Sequence, residues 1–360
     1  MAGNNFGKIF NLTSFGESHG KAIGVIVDGC PSGFDLNKND IEKQLNRRKP
    51  NQSQITTSRK ESDKVEILSG VMNGKTLGTP ITLIVFNKDQ KSKDYSQLKN
   101  IFRPGHGDLT YEQKYKIRDW RGGGRASARE TLARVAAGAI AQKYLKEKIG
   151  MRFLSFTKQI HNIKAKLNLK NLTSEKIESN EVRCPDKKTA VKMIELIKKT
   201  AQEGDSLGGI VSCVIKNPPS GLGEPVFDKL SADLAKAMMS INAVKGFEIG
   251  AGFQAAELKG SQNNDRFILN KNKKIKTKTN NSGGILAGIS NGQDITFNVA
   301  FKPVPTIGKN QKTLTKQKKV VDFKAQGRHD PCVVPRAVPI VDAMAAITVM
   351  DHFLRNKIYS

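Results

Sequence analysis

The sequence predicts an α+β fold, a β-α-β sandwich of two pseudo-repeated halves in which antiparallel sheets flank central apolar helices. Three recurrences carry that prediction. GESHGKAIGVIVDGCPSG (16–33) returns as GDSLGGIVSCVIKNPPSG (204–221). ILSGVMNG and then ITLIVF (67–86) return as ILAGISNG and then ITFNVAF (285–301). The long Ala-rich run ETLARVAAGAIAQKYL (130–145) is matched by VDAMAAITVMDHFL (341–354). Blocks that recur in one order point to related halves, about 1–150 and 200–360, joined by a basic connection around 155–200 within a single domain spanning 1–360.

Each element follows from its own pattern. In the first block, an apolar run after a glycine-bounded loop reads as a strand. In the second, an Asn-Gly pair between apolar runs reads as a hairpin in both copies. The third block gives helices that are apolar over most of their circumference, and such helices are best buried between two sheets. Pro50, Pro104, Pro331 and the run Gly122-Gly123-Gly124 mark breaks between elements.

Composition narrows the class. A chain of 360 residues with 38% hydrophobic content supports a large core. No uninterrupted apolar run reaches the ~18 residues of a membrane span, and MAGNNFGKIF does not resemble a secretory signal, so a soluble cytoplasmic protein with no membrane partner is expected. The four cysteines lack metal-ligand spacing, so neither disulfides nor a metal site is expected. The net charge of +27 could serve a nucleic acid. However, the lysine runs KNKKIKTKT (271–279) and KNQKTLTKQKK (309–319) carry few aromatics and match no nucleic-acid-binding motif, so they read as solvated surface, with no nucleic acid as partner. Arginines cluster differently. Arg47, Arg48, Arg103, Arg118, Arg121, Arg125, Arg129 and Arg134 lie near two histidine loops. The planar guanidinium suits phosphate and carboxylate, which points to a small, doubly anionic ligand.

Those loops hold two of the five histidines. His19 stands between Gly16 and Gly20 beside Glu17 and Ser18, and the second copy has Leu207 in its place, confining its chemistry to one half. His106 stands in RPGHGD. Imidazole changes charge near neutral pH and can deliver a proton to a leaving group. DWRGGGRASARETLARVAAGAIA (119–141) reads as a glycine loop opening a helix, with Ser127 and Glu130 in capping-box spacing and Arg125 and Arg129 adding charge to a phosphate-friendly helix start. QGRHDPCVVPRAVP (326–339) brings Arg328, His329, Asp330 and Arg336 to the corresponding place in the second half, so the two clusters should face each other. Together they make a basic pocket with two candidate proton donors and one candidate carboxylate. A nucleic-acid-binding protein and a cofactor-free phosphate lyase using His19 and His106 remain as rivals.

At these residues the chain resembles the chorismate synthase family. The shared motifs are GESHGKAIGVIVDGCPSG, RRKPNQS (47–53), RPGHGDLTYEQKY (103–115), RGGGRASARET (121–131), SINAVKGFEIG (240–250) and GRHDPC (327–332), in the family's order. The resemblance implies a 1,4-elimination of phosphate from 5-enolpyruvylshikimate 3-phosphate to give chorismate, at the end of the shikimate pathway to aromatic amino acids. It also implies reduced FMN as cofactor, NADPH or a separate flavin reductase as the source of electrons, and a homotetramer. By the same resemblance His19 protonates the departing phosphate, His106 lies by the flavin, and Asp330 assists proton movement. Arg48, Arg103, Arg129 and Arg134 would hold the substrate, Arg48 also being a position associated with NADPH. FMN contacts would fall on Arg125, Ala126, Ser127, Asn242, Ala243, Ala287, Lys302, Pro303, Val304, Pro305, Thr306 and Arg328. Gln54 stands where many relatives have arginine, Ala287 where glycine is frequent, and KPVPT (302–306) replaces Lys-Pro-Thr-Ser-Ser.

Overall fold

Two five-stranded antiparallel sheets frame the molecule, a computed structural model describing residues 3–50, 55, 63–87, 98–269, 273, 275–325 and 330–359. The first sheet runs, in spatial order, Asn5–Phe6, Asn11–Gly16, Ala22–Asp28, Ile81–Phe86 and Glu66–Ile67. The second runs Val244–Ile249, Ile295–Phe301, Gly209–Lys216, Arg152–Ile160 and Ile163–Lys164. Alternation sets which face is buried. Ile81, Leu83 and Val85 in one sheet and Ile295, Phe297 and Val299 in the other all point into the core. The central pairs share a register, since Val25 faces Leu83 as Cys213, its counterpart in the recurrence, faces Phe297. Arg152–Ile160 lies at the start of the stretch read as a connection, yet it is a full member of the second sheet.

The helices Thr131–Ile149 and Val334–Asn356 pack on each other, the first also on strands Asn11–Gly16 and Ala22–Asp28, the second on Arg152–Ile160 and Gly209–Lys216. We call them the first and second core helix. One apolar core, from Phe10 to Leu354, runs through both sheets and both helices. At their crossing a Cβ added to Gly138 would lie 2.4 Å from the Ala343 Cβ, so the helices meet almost backbone to backbone. The second core helix is long and apolar enough to cross a membrane by composition, but 94% of its apolar window is buried inside the fold. Pro339 lies within it and has no N–H to give the Pro335 carbonyl, and Arg183 supplies the missing donor at 2.6 Å.

Two local expectations are corrected. Asn73-Gly74, both at positive φ, makes the two-residue hairpin joining Val71–Met72 to Lys75–Thr76, as the sequence predicts. In the second copy the tight turn falls four residues earlier in the repeat, at Ala287-Gly288, and pairs Leu286 with Ile289. The Asn-Gly signal loses there because the strand residue Ser290 bonds sideways, its N–H to the Leu222 carbonyl at 2.8 Å and its hydroxyl to Pro219 at 2.6 Å. The capping box is also absent. Ser127 accepts from the Arg129 amide and caps a 3-10 turn, Ala128–Glu130, while the Glu130 carboxylate turns to Arg134 at 3.0 Å. The helix proper begins at Thr131.

Candidate functional site

A cavity of roughly 280 Å³ opens where the loops at one end of both sheets meet the starts of both core helices. Arg48, from the end of helix Lys38–Arg48, lines it with Arg103 and His106. Ala126, Ser127 and Arg129 line it from the turn before the first core helix, and Asp330 and Arg336 from the start of the second. Asn242, Ala243, Lys302, Val304, Pro305 and Thr306 complete the wall. Of the second predicted cluster, Asp330 and Arg336 thus face the turn before the first core helix across the cavity.

His19 is buried just behind this wall. Its Nδ1 lies 2.8 Å from the hydroxyl of Ser18, which lines the cavity and approaches the Gly122 carbonyl at 3.3 Å. The glycine run explains how the rings fit. A Cβ on Gly122 (φ +61°) would sit 2.2 Å from the His19 ring, and one on Gly123 (φ +88°) would sit 2.9 Å from the His106 ring. These glycines clear space for two imidazoles, a role distinct from the phosphate-cradling loop anticipated from sequence.

His106 is held by a charged cluster. Asp108 accepts from Arg103 Nε and Nη2, both at 2.8 Å, and from the Arg103 amide at 3.1 Å. His106 Nδ1 lies 3.1 Å from Arg103 Nη2 and 3.2 Å from Asp108 Oδ1. Burial pushes the His106 pKa below the ordinary histidine value, reinforced by Arg103 and Lys302 and opposed by Asp108. Burial also pushes Asp108 up, but its bonds to Arg103 and His106 outweigh it and hold the carboxyl well below the usual range. The lowered His106 pKa favours the neutral ring near neutral pH. Guanidinium only donates and carboxylate only accepts, so Nδ1 accepts from Arg103 in one tautomer and donates to Asp108 in the other.

A second charged cluster lies opposite. Arg48 Nη2 and Arg129 Nη1 bind the two oxygens of one buried carboxylate, Asp63, at 2.6 and 2.5 Å. Burial is the largest influence on Asp63 and raises its pKa, but both arginines together hold it below the ordinary carboxylate value. Arg129 Nε and Nη2 donate to Asn87 Oδ1 at 3.2 and 3.0 Å. Arg336 donates to the Arg48 carbonyl at 3.2 Å and forms an ion pair with Asp330. Sequence reading missed Asp63 and Asn87, which carry no local motif. Arg336 was visible in its cluster but was not singled out for the site.

Other predicted residues lie elsewhere. Arg125 donates to Gly16 O, Ser14 and Asn4, and Arg134 is held by Glu130 and by Ser240 Oγ at 2.6 Å. Both face a neighbouring cavity of about 580 Å³, separated from the first by Ala126, Asn242 and Ala243. Ala287 sits in the displaced hairpin, where the following Gly288 packs on Lys229, and Pro303 packs on Gly208, so neither lines the cavity. Arg328, His329 and Gln54 lie outside the described residues. Lys302 donates to Gly105 O at 2.6 Å, bracing the His106 loop, and burial lowers its pKa. The basic tract 309–319 includes the strand Asn310–Leu314, paired with Val320–Lys324, and Leu314 O accepts from the Phe102 amide beside Arg103.

Cations outnumber carboxylates around this cavity, and two buried polar atoms of its lining, Asn242 Oδ1 and Arg48 Nε, have no hydrogen-bond partner among the described residues. Such a site suits an anionic, hydrogen-bonding guest. Known proteins agree with this chemistry. The family model for chorismate synthase matches residues 10–354. The chorismate synthase of Prochlorococcus marinus (strain MIT 9515) is 58% identical over 353 residues, covering 98% of this chain and 97% of the relative. That of Crocosphaera subtropica (strain ATCC 51142 / BH68) is 56% identical with the same coverage of 98% and 97%. A crystal structure of chorismate synthase superposes with a TM-score of 0.77 at 33% identity, covering 98% of this chain and 93% of the other. On motif order, fold and site together, the chain belongs to the chorismate synthase family.

Proposed function

We propose that the 280 Å³ cavity is where this chain carries out the family's reaction, removal of phosphate from 5-enolpyruvylshikimate 3-phosphate to give chorismate in aromatic amino acid biosynthesis. The observation that carries the assignment is the meeting, around one cavity, of Arg48 and Arg129 on a shared carboxylate with His106, Ser18 and Asp330. Arg48, Arg103 and Arg129 bind the phosphate and carboxylates of the substrate, their guanidiniums already oriented by Asp63 and Asp108 and so requiring little reorganisation. His19, its ring plane set by Ser18, delivers a proton to the departing phosphate. His106, held by Arg103 and Asp108, faces the bound molecules from the cavity wall. Asp330, ion-paired with Arg336, assists the movement of the proton lost from the substrate ring.

The lining also fits reduced FMN, because the orphaned Asn242 carbonyl oxygen and the Arg48 Nε–H lack partners that a flavin and its neighbouring substrate offer. Ser127, Asn242, Ala243, Lys302 and Thr306 would hold it. Bound there, reduced FMN would supply electron density for loss of phosphate and an acceptor for the departing hydrogen. We further infer a single domain of two duplicated halves in a β-α-β sandwich, supported by the shared register of the central strands, and a cytoplasmic homotetramer. The test is an anaerobic assay of the purified protein with substrate and chemically reduced FMN, repeated with NADPH and oxidised FMN. Chorismate in the first arm is the expected result, and its absence overturns the proposal. Chorismate in the second arm assigns flavin reduction to this chain, and its absence there assigns it to a separate reductase.

A further inference from the structure

Asp63 sits on neither histidine loop and in none of the motifs named above, yet this buried carboxylate joins two of the arginines that line the cavity. It is 2% exposed, and its two oxygens are divided between Arg48 and Arg129, which reach the cavity from different elements. Its backbone holds φ at +40°, a region that a residue with a Cβ enters at a cost, and such strain persists where surrounding contacts require it. The connections continue beyond it. Arg129 is anchored on its far side by Asn87 Oδ1, and the Asn87 amide donates to the carbonyls of Glu17 at 3.2 Å and Gly20 at 2.9 Å, the two ends of the loop that carries Ser18 and His19. An unbroken run of short polar contacts therefore joins Arg48, Asp63, Arg129, Asn87 and the His19 loop.

We propose that Asp63 is a positioning residue for the elimination. It aligns Arg48 and Arg129 as a pair for the substrate's anionic groups and, through Asn87, holds that pair in fixed relation to the proton-donating loop. The physical argument is charge and geometry together. Two guanidiniums brought to one small cavity repel each other, and a carboxylate that gives one oxygen to each offsets the repulsion and fixes their relative orientation. An amide in its place offers one acceptor and an NH₂ group that faces the second guanidinium donor to donor. The pair then loses its alignment although side-chain volume is kept.

This inference rests on the reading that Arg48 and Arg129 bind the substrate, and the experiment separates the two. Asp63→Asn, Arg129→Ala and wild type are compared for KM, kcat and thermal midpoint, with calorimetric binding of 5-enolpyruvylshikimate 3-phosphate as a readout independent of turnover. Loss of a buried charge-assisted contact predicts a rise of roughly ten-fold or more in KM and in the substrate dissociation constant for Asp63→Asn. Asp63→Glu should recover part of the loss, because the charge returns. If Arg129→Ala weakens binding but Asp63→Asn leaves it within about two-fold of wild type, Asp63 has no positioning role. If Arg129→Ala itself leaves binding unchanged, the assignment of substrate to this cavity fails first. Should Asp63→Asn not fold, Asn87→Ser carries the test. It should raise KM and lower kcat together, and wild-type values for both would overturn the coupling to the His19 loop.

Discussion

The loop Gly16–Gly20 and its counterpart Gly204–Gly208 open the two copies of the first recurrence, yet they are used in opposite ways. The first turns Ser18 toward the cavity and seats His19 behind it. The second buries Leu207, whose amide bonds the Pro331 carbonyl at 2.8 Å and which forms a parallel bridge to Cys332, while Ser206 donates to Val304 O at 2.7 Å. One loop carries the proposed proton donor. The other braces Asp330 and the Lys302–Thr306 wall. The same place in the recurrence thus holds a histidine behind the cavity wall in one copy and a core leucine in the other.

That contrast can be broken from either side. The largest effect should come from His19→Ala, which is expected to lower turnover by about 10²-fold or more with the thermal midpoint little changed. Gly122→Ala leaves every ionisable group in place but puts a methyl where the imidazole lies, so its turnover should fall by a comparable factor. Near-normal steady-state rates in either variant would remove His19 from the mechanism. Leu207→Ala should do the reverse. Removal of a buried leucine costs about 2–5 kcal/mol of stability, visible in denaturant unfolding, with turnover per folded molecule close to wild type. The smallest effect concerns His106. Burial holds its folded-state pKa below the ordinary 6.5, so the unfolded chain takes up that proton more readily. Stability should fall as pH drops below about 6.5 toward the folded value and be unaffected by this group above it, and melting of His106→Gln across that range should show less acid loss.

Much of the fold was legible because its signals are local and repeated. Alternating apolar strands, two helices apolar all round and an ordered recurrence each state their own environment. The Ala287-Gly288 turn was not legible, because a lateral bond from Ser290 to Leu222 outweighs the Asn-Gly preference, and no short window contains both partners. The site divides in the same way. His19, His106 and Ser127 stand in glycine-flanked or capping contexts that mark them in sequence. Asp63 and Asn87 do not, since their importance comes from ion pairs and hydrogen bonds to Arg129, 66 and 42 residues away. Arg134 was grouped with Arg129 by its place in the arginine cluster and by the family resemblance. The change from a 3-10 turn to a helix at Thr131 places Arg129 at the cavity and Arg134 against Glu130 and Ser240, beside the neighbouring one.

The near-touching of Gly138 and Ala343 gives the two central helices a fulcrum well away from the reacting groups. Each helix is a rigid lever, with Ser127 and Arg129 just ahead of one end and Asp330 and Arg336 at the near end of the other. Gly138 lines no part of the cavity, yet the absence of a side chain there sets how closely the two helices, and so the two walls they carry, approach each other.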